Sequence, residues 1–231
     1  MTYELAIGDR SYSSWSLRGW LMFARFSITV TPVQAAMYTP EFRAMLAGFG
    51  AARLVPALRF GEGGEAVLVW DSLAMAETLA ERHPDRALWP SAPRHRGLAR
   101  TLVGEMHSGF TALRTACPMN LRRSYVGFAA SEAVRADLAR IEELWAFARR
   151  ASGAEGPWLF GDYSLADVFF APVATRIATY GLPVGEAAGA YVAAHLADPA
   201  FLEWRRAGLA ERTIQPGYDL DLPARPWPGP A

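Results

Sequence analysis

The sequence predicts an α/β domain followed by an all-α domain, and three observations predict it. Strand and helix signals alternate over the first 84 residues. From residue 94 the periodicity is helical, up to a proline-rich tail that starts at Pro216. A proline-punctuated stretch, Pro84–Pro93, separates the two and reads as a linker. The expected division is therefore 1–84 for the first domain, 85–93 for the linker and 94–231 for the helical domain.

Each element has a local reason. Leu5–Gly8 ends a short apolar strand. Ser13 or Ser14 caps a helix carrying Trp15, Leu17, Trp20, Leu21 and Phe23. Ser27–Val33 is rich in β-branched residues and reads as a strand. Pro40–Ala47 reads as a short helix. Leu54–Phe60 and Ala66–Trp70 are strands around a Gly61–Gly64 turn. Asp71 or Ser72 then caps a helix with Met75 and Leu79 on its apolar side. The order is β-α-β-α-β-β-α.

Beyond the linker, Leu98, Leu102, Met106, Phe110 and Leu113 form one helical stripe, and Leu138, Ile141, Leu144 and Trp145 a second. A third helix carries Leu165, Val168, Phe169, Val173 and Ile177, with Pro172 inside it. Val192–Leu196 and Phe201–Trp204 are shorter pieces, and the tail from Pro216 is expected to be irregular. Leu88 and Trp89 in the linker are expected to pack against a neighbour.

Composition narrows the function classes. Hydrophobic residues make up 52% and charged residues 20%, which suits a globular protein with a sizeable core. All 23 basic side chains are arginine, balanced by 23 acidic ones. A net charge of zero gives no general attraction to nucleic acid or to anionic membrane. The single cysteine, Cys117, allows no intrachain disulfide. With no leader-like opening and no spanning apolar run, the expected location is the cytoplasm.

Three segments carry a resemblance. The first is Ser11-Tyr12-Ser13-Ser14-Trp15-Ser16-Leu17-Arg18-Gly19-Trp20-Leu21. The second joins Leu54-Val55-Pro56-Ala57-Leu58 to Trp70-Asp71-Ser72-Leu73-Ala74-Met75. The third is Trp158–Asp167. In this order and spacing the set resembles the glutathione transferase superfamily, with the serine-type opening of the zeta, theta and tau classes. The resemblance implies a thioredoxin-like first domain that binds glutathione as co-substrate. It also implies a helical domain that completes the site for a small electrophile, a detoxification role, and a homodimer.

Glutathione's thiol reacts as the thiolate. From a pKa of ~8.5, about 3% is ionised at neutral pH. Lowering that pKa by about two units takes roughly 2.7 kcal/mol. A helix N-terminus supplies ~0.3–2 kcal/mol and a hydrogen bond to a charged group ~1.5–3 kcal/mol. A hydroxyl at a helix start, as in Ser11–Ser14, therefore fits this chemistry. Counting back from Arg18, the resemblance puts the activating serine at Ser11. Cap geometry favours Ser13, which stands where zeta enzymes carry cysteine, and Ser14 can serve as a cap.

By the same resemblance, Val55 precedes a cis proline, Pro56, and its N–H and C=O pair with the cysteinyl part of glutathione. Ser72 and its helix N-terminus take the γ-glutamyl carboxylate, and Asp71 the ammonium. Tyr12, Trp15 and Met119 are candidates for the apolar substrate wall. His107, Thr111 and Arg114, at helical spacing, are candidates to touch substrate or glutathione. Ser164 and Asp167 resemble a capping box with a structural role.

Other classes lack their residues. There is no Cys-x-x-Cys and no Gly-x-Ser-x-Gly, and the histidines show no metal-ligand spacing. The expected activity is addition of glutathione to an electrophile. An isomerase like maleylacetoacetate isomerase is the alternative, although Ser11-Tyr12-Ser13 departs from the zeta Ser-Ser-Cys pattern. A non-catalytic partner-binding module of the same fold is the second alternative.

Overall fold

The computed structural model describes residues 2–229. Residues 1 and 230–231, the outer ends of the two expected domains, lie outside the described residues. The first half runs β1 (Tyr3–Ile7), α1 (Ser14–Ala24), β2 (Val30–Gln34), α2 (Pro40–Ala47), β3 (Ala57–Phe60), β4 (Val67–Val69) and α3 (Ser72–Arg82), the expected order. β1 and β2 are parallel across the α1 crossover, while β3 joins β1, and β4 joins β3, antiparallel. The sheet order is β2-β1-β3-β4.

Strand periodicity sorts the side chains onto two faces. Leu5, Ile7, Leu58 and Phe60 face α1 and α3, with Leu17, Leu21, Met75 and Leu79 in the same cluster. Ala6 and Ala57 point the other way, into a smaller cluster with Phe42 and Leu46 of α2. The larger cluster continues without a break into the second half, through Leu102, Met106, Phe169 and Phe170. Leu88 and Trp89 of the linker are buried in it.

The second half contains α4 (Pro93–Ser108), α5 (Thr111–Ala116), α6 (Glu132–Ser152), α7 (Leu165–Tyr180), α8 (Glu186–Leu196) and α9 (Pro199–Ala210). It is not purely helical, because β5 (Ser124–Tyr125) pairs antiparallel with β6 (Ala224–Arg225) in the tail. The expected Leu98–Leu113 stripe is two helices. Phe110 adopts a left-handed backbone (φ 58°) after Gly109, and α5 restarts where Asp137 Oδ2 accepts the Leu113 N–H at 2.8 Å. β2 begins three residues later than expected, because Ser27 also turns left-handed (φ 53°) and Ile28 N–H closes onto Phe23 O. α7 runs through Pro172 as one helix. No helix among the described residues is long and apolar enough to cross a membrane.

Candidate functional site

The N-terminus of α1 is the natural starting point. Ser13 is its N-cap, with Oγ accepting the Ser16 N–H at 3.2 Å. The capping oxygen holds the helix start in place, where backbone N–H groups lack intrahelical partners. Gly19, one turn further, lets Pro56 pack directly on α1, since a Cβ there would lie 2.7 Å from Pro56 Cβ. The Val55–Pro56 peptide bond is cis. Asp71 caps α3, with Oδ1 accepting the Leu73 N–H at 2.9 Å.

These elements converge on a cavity of about 840 Å³. Ser13, Ser14 and Trp15 form one wall, Val55, Pro56 and Asp71 a second, and His107 and Arg114 a third. Met119 from the 117–121 segment, Arg176 of α7 and Tyr218 of the tail close it. Tyr12, Trp15, His107, Arg114, Thr111 and Met119 thus all line one space. His107 and Thr111 reach it from two different helices.

Two expected residues stand elsewhere. Ser11 Oγ donates to Gly208 O of α9 at 3.0 Å, and Ser11 O accepts the Leu121 N–H at 3.0 Å. It does not line the cavity. α9 approaches so closely that a Cβ on Gly208 would meet Ser11 Oγ at 3.0 Å, so the Ser11 hydroxyl is committed to joining the halves. Ser72 is fully buried, and its Oγ accepts from Arg18 Nη1 at 3.4 Å. Only its place at the first turn of α3 keeps its backbone near the cavity.

Charge in the site is mostly positive. Arg18 lies over the rings of Trp15 and Phe169, both at 4.4 Å, and Arg114 over Trp15 at 5.1 Å. Burial, reinforced by Arg114 and Arg176, pushes the Arg18 pKa down to about 9. Burial and Arg114 push that of Arg176 down to about 10. His107 Nε2 sits 3.2 Å from Asp71 Oδ2. Burial still lowers the His107 pKa, with Asp71 opposing and Arg18 and Arg114 assisting. Burial raises the pKa of Tyr12. Cys117 is buried in the interior, its thiol pushed up to about 12 by burial.

Arg176 was not legible as a site residue. It lies more than 160 positions from Ser14, and helical periodicity alone does not place it opposite α1. One signal existed: it is a lone cation in the apolar run Val168–Tyr180. Arg53 and Tyr218 also line the cavity and carried no signal.

No protein-family model matches the sequence, and no curated protein sequence matches it. Solved structures do share its fold. A glutathione transferase homologue from Burkholderia gl BGR1, with bound glutathione, is 23% identical with TM-score 0.65, covering 91% of this chain and 100% of that one. Glutathione transferase Omega 3C from Trametes versicolor is 20% identical with TM-score 0.64, covering 87% and 88%. A trimeric glutathione transferase of Leishmania is 17% identical with TM-score 0.65, covering 87% and 45%. The chain has the glutathione transferase fold: a thioredoxin-like α/β half followed by a helical half.

Proposed function

We propose that this chain is a serine-type glutathione transferase that binds glutathione along Val55–Pro56 and activates its thiol at Ser13. One observation carries the reading: Ser13 Oγ caps α1 and lines the cavity at the helix N-terminus. A hydroxyl offers one donor and two acceptor sites. Ser13 Oγ accepts the Ser16 N–H and lies 2.8 Å from Ser16 Oγ. With Ser16 as donor in that second contact, both acceptor sites are filled and the Ser13 proton points to a ligand sulfur.

The chemistry is conventional. The thiolate attacks an electrophilic carbon, a C–S bond forms, and the displaced group leaves or the addition is completed by a proton. The α1 N-terminus and the Ser13 hydroxyl stabilise the anion, and the cavity arginines contribute a field of the same sign. Val55 pairs with the cysteinyl backbone as an added strand. Asp71 takes the ammonium, and the α3 N-terminus, through the Ser72 N–H, takes the γ-glutamyl carboxylate. Tyr12, Trp15, His107 and Arg114 form the second-substrate wall.

The Burkholderia relative's bound glutathione supports the ligand, and the shared fold supports the class. We read residues 1–84 as the glutathione-binding domain and 94–231 as its helical complement, working as a homodimer in the cytoplasm. Sedimentation at micromolar concentration tests the dimer, and a monomer or trimer removes it.

Calorimetry with glutathione, followed by ultraviolet titration of the bound thiol, tests the function. Binding with a thiol pKa about two units below ~8.5 is the expected result. Absence of heat at millimolar glutathione overturns the reading.

A further inference from the structure

We propose that Arg176 and Arg114 form an anion-binding subsite beside Ser14, and that the electrophile accepted there carries a carboxylate. The proposal rests on the transferase reading and names the substrate class of that site.

Arg176 is 5% exposed, on an otherwise apolar helix face. Its Nε donates to Cys117 O at 2.8 Å, Nη1 to Pro172 O at 3.1 Å and Nη2 to Ser14 Oγ at 3.3 Å. A guanidinium has five N–H donors. These contacts occupy three and anchor the group without neutralising it. Arg114 Nη1 donates to two carbonyls, His107 O at 3.3 Å and Gly109 O at 3.2 Å. Among the described residues, no carboxylate lies within 4.0 Å of either guanidinium.

Buried cations are ordinarily paired, because the cost of leaving water is otherwise unmet. Here the buried Arg176 and Arg18 and the half-buried Arg114 repel one another: Arg114 depresses the pKa of Arg176, and both depress that of Arg18. The acid that lines the cavity with them, Asp71, is engaged by His107 and by the Leu73 N–H. The missing countercharge fits a ligand, and a planar guanidinium fork suits a carboxylate. Trp15 and Met119 beside the arginines are apolar, so the carboxylate belongs on an apolar or aromatic body.

Glutathione's own carboxylates are the other source of such an anion, and a matched pair of electrophiles separates the two. 4-Chloro-3,5-dinitrobenzoate and its methyl ester both react by thiolate attack: the C–S bond forms, chloride leaves with its electron pair, and the thiol proton goes to solvent. The measurement is kcat/KM for each, divided by its uncatalysed rate constant with glutathione. The wild type is expected to favour the acid over the ester at least tenfold. Arg114→Gln and Arg176→Gln are each expected to lower that ratio at least fivefold. Should Arg176→Gln fail to fold by circular dichroism, Arg114→Gln alone decides.

An acid-to-ester ratio near one, with glutathione binding intact, overturns the subsite. So does a variant that weakens glutathione binding and leaves the ratio unchanged, since the anion held is then glutathione's own. If calorimetry detects no glutathione binding, the transferase reading fails by itself. Unreactive 3,5-dinitrobenzoate against its methyl ester, titrated by tryptophan fluorescence, then still tests the arginine pair: tighter binding of the acid supports it and equal binding overturns it.

Discussion

The hydroxyls of Ser13 and Ser16 lie 2.8 Å apart at the head of α1, and Ser16 Oγ also accepts the Gly8 N–H at 2.9 Å. The end of β1 is thereby joined to the cavity through two hydroxyls, and with Ser16 as the donor between them the chain runs from Gly8 N–H to Ser16, Ser16 to Ser13 and Ser13 to the cavity. Each donation polarises the next hydroxyl.

Removing the last member has the largest effect. Ser13→Ala is expected to raise the pKa of bound glutathione by about one to two units, since a hydrogen bond to a charged group is worth ~1.5–3 kcal/mol. kcat/KM at pH 6.5 then falls ~10- to 100-fold. Ser11→Ala breaks the bond to Gly208 and is expected to cost about 1 kcal/mol of stability, with a thiol shift under a third as large. Thiolate absorbance and urea melts of both variants provide the comparison.

Ser16→Ala leaves Ser13 in the cavity, keeps the backbone N–H that caps onto it and removes the neighbouring hydroxyl. The expected outcome is a rise of roughly half a unit in the bound thiol pKa, from loss of cooperative polarisation. The acid limb of the kcat/KM profile moves to higher pH by the same amount. An unmoved limb would show that Ser16 serves only to support the Gly8 turn.

The capping box at α7 predicts unequal costs. Asp167 Oδ1 accepts from Leu159 N–H and Tyr191 OH, and Oδ2 from the N–H and Oγ–H of Ser164. Ser164→Ala is expected to cost about 1 kcal/mol. Asp167→Ala strands several buried donors and is expected to cost about 3 kcal/mol or more. Urea denaturation with an unchanged m-value measures both.

Acid sensitivity is expected from His195, which is buried among Trp158, Tyr191 and Tyr163 with Nε2 unpartnered. Burial, aided by Arg25, drives its pKa down to about 3. The folded protein keeps it neutral, whereas the unfolded chain takes up a proton near pH ~6.5. Its contribution is full above that value and is lost as pH falls toward the folded pKa. Between pH 7 and pH 5 the loss is about 2 kcal/mol. His195→Phe is expected to flatten that part of the stability profile, as denaturation at the two pH values will report.

Where local chemistry decides an element, it was readable in the residues. α2 spans Pro40–Ala47 as expected, because Thr39 caps it and proline fits its first turn. The capping box was visible for the same reason. Where a single backbone angle or a distant partner decides, it was not. The apolar stripe continues across Phe110, so periodicity joined α4 to α5. The break depends on Asp137 of α6, more than twenty positions away.

The alternation of strand and helix signals and a cap at Ser13 or Ser14 and at Asp71 or Ser72 are properties of short windows, and the sequence by itself determined them; the structure selected Ser13 and Asp71. Which serine faces the cavity was decided by α9, whose Gly208 carbonyl draws the Ser11 hydroxyl away. The electrostatic character of the cavity was likewise decided by packing, which sets Arg176 of α7 against Ser14 of α1. Hydrogen bonds and charges act through space, and distances between segments far apart along the chain are fixed only when the core closes.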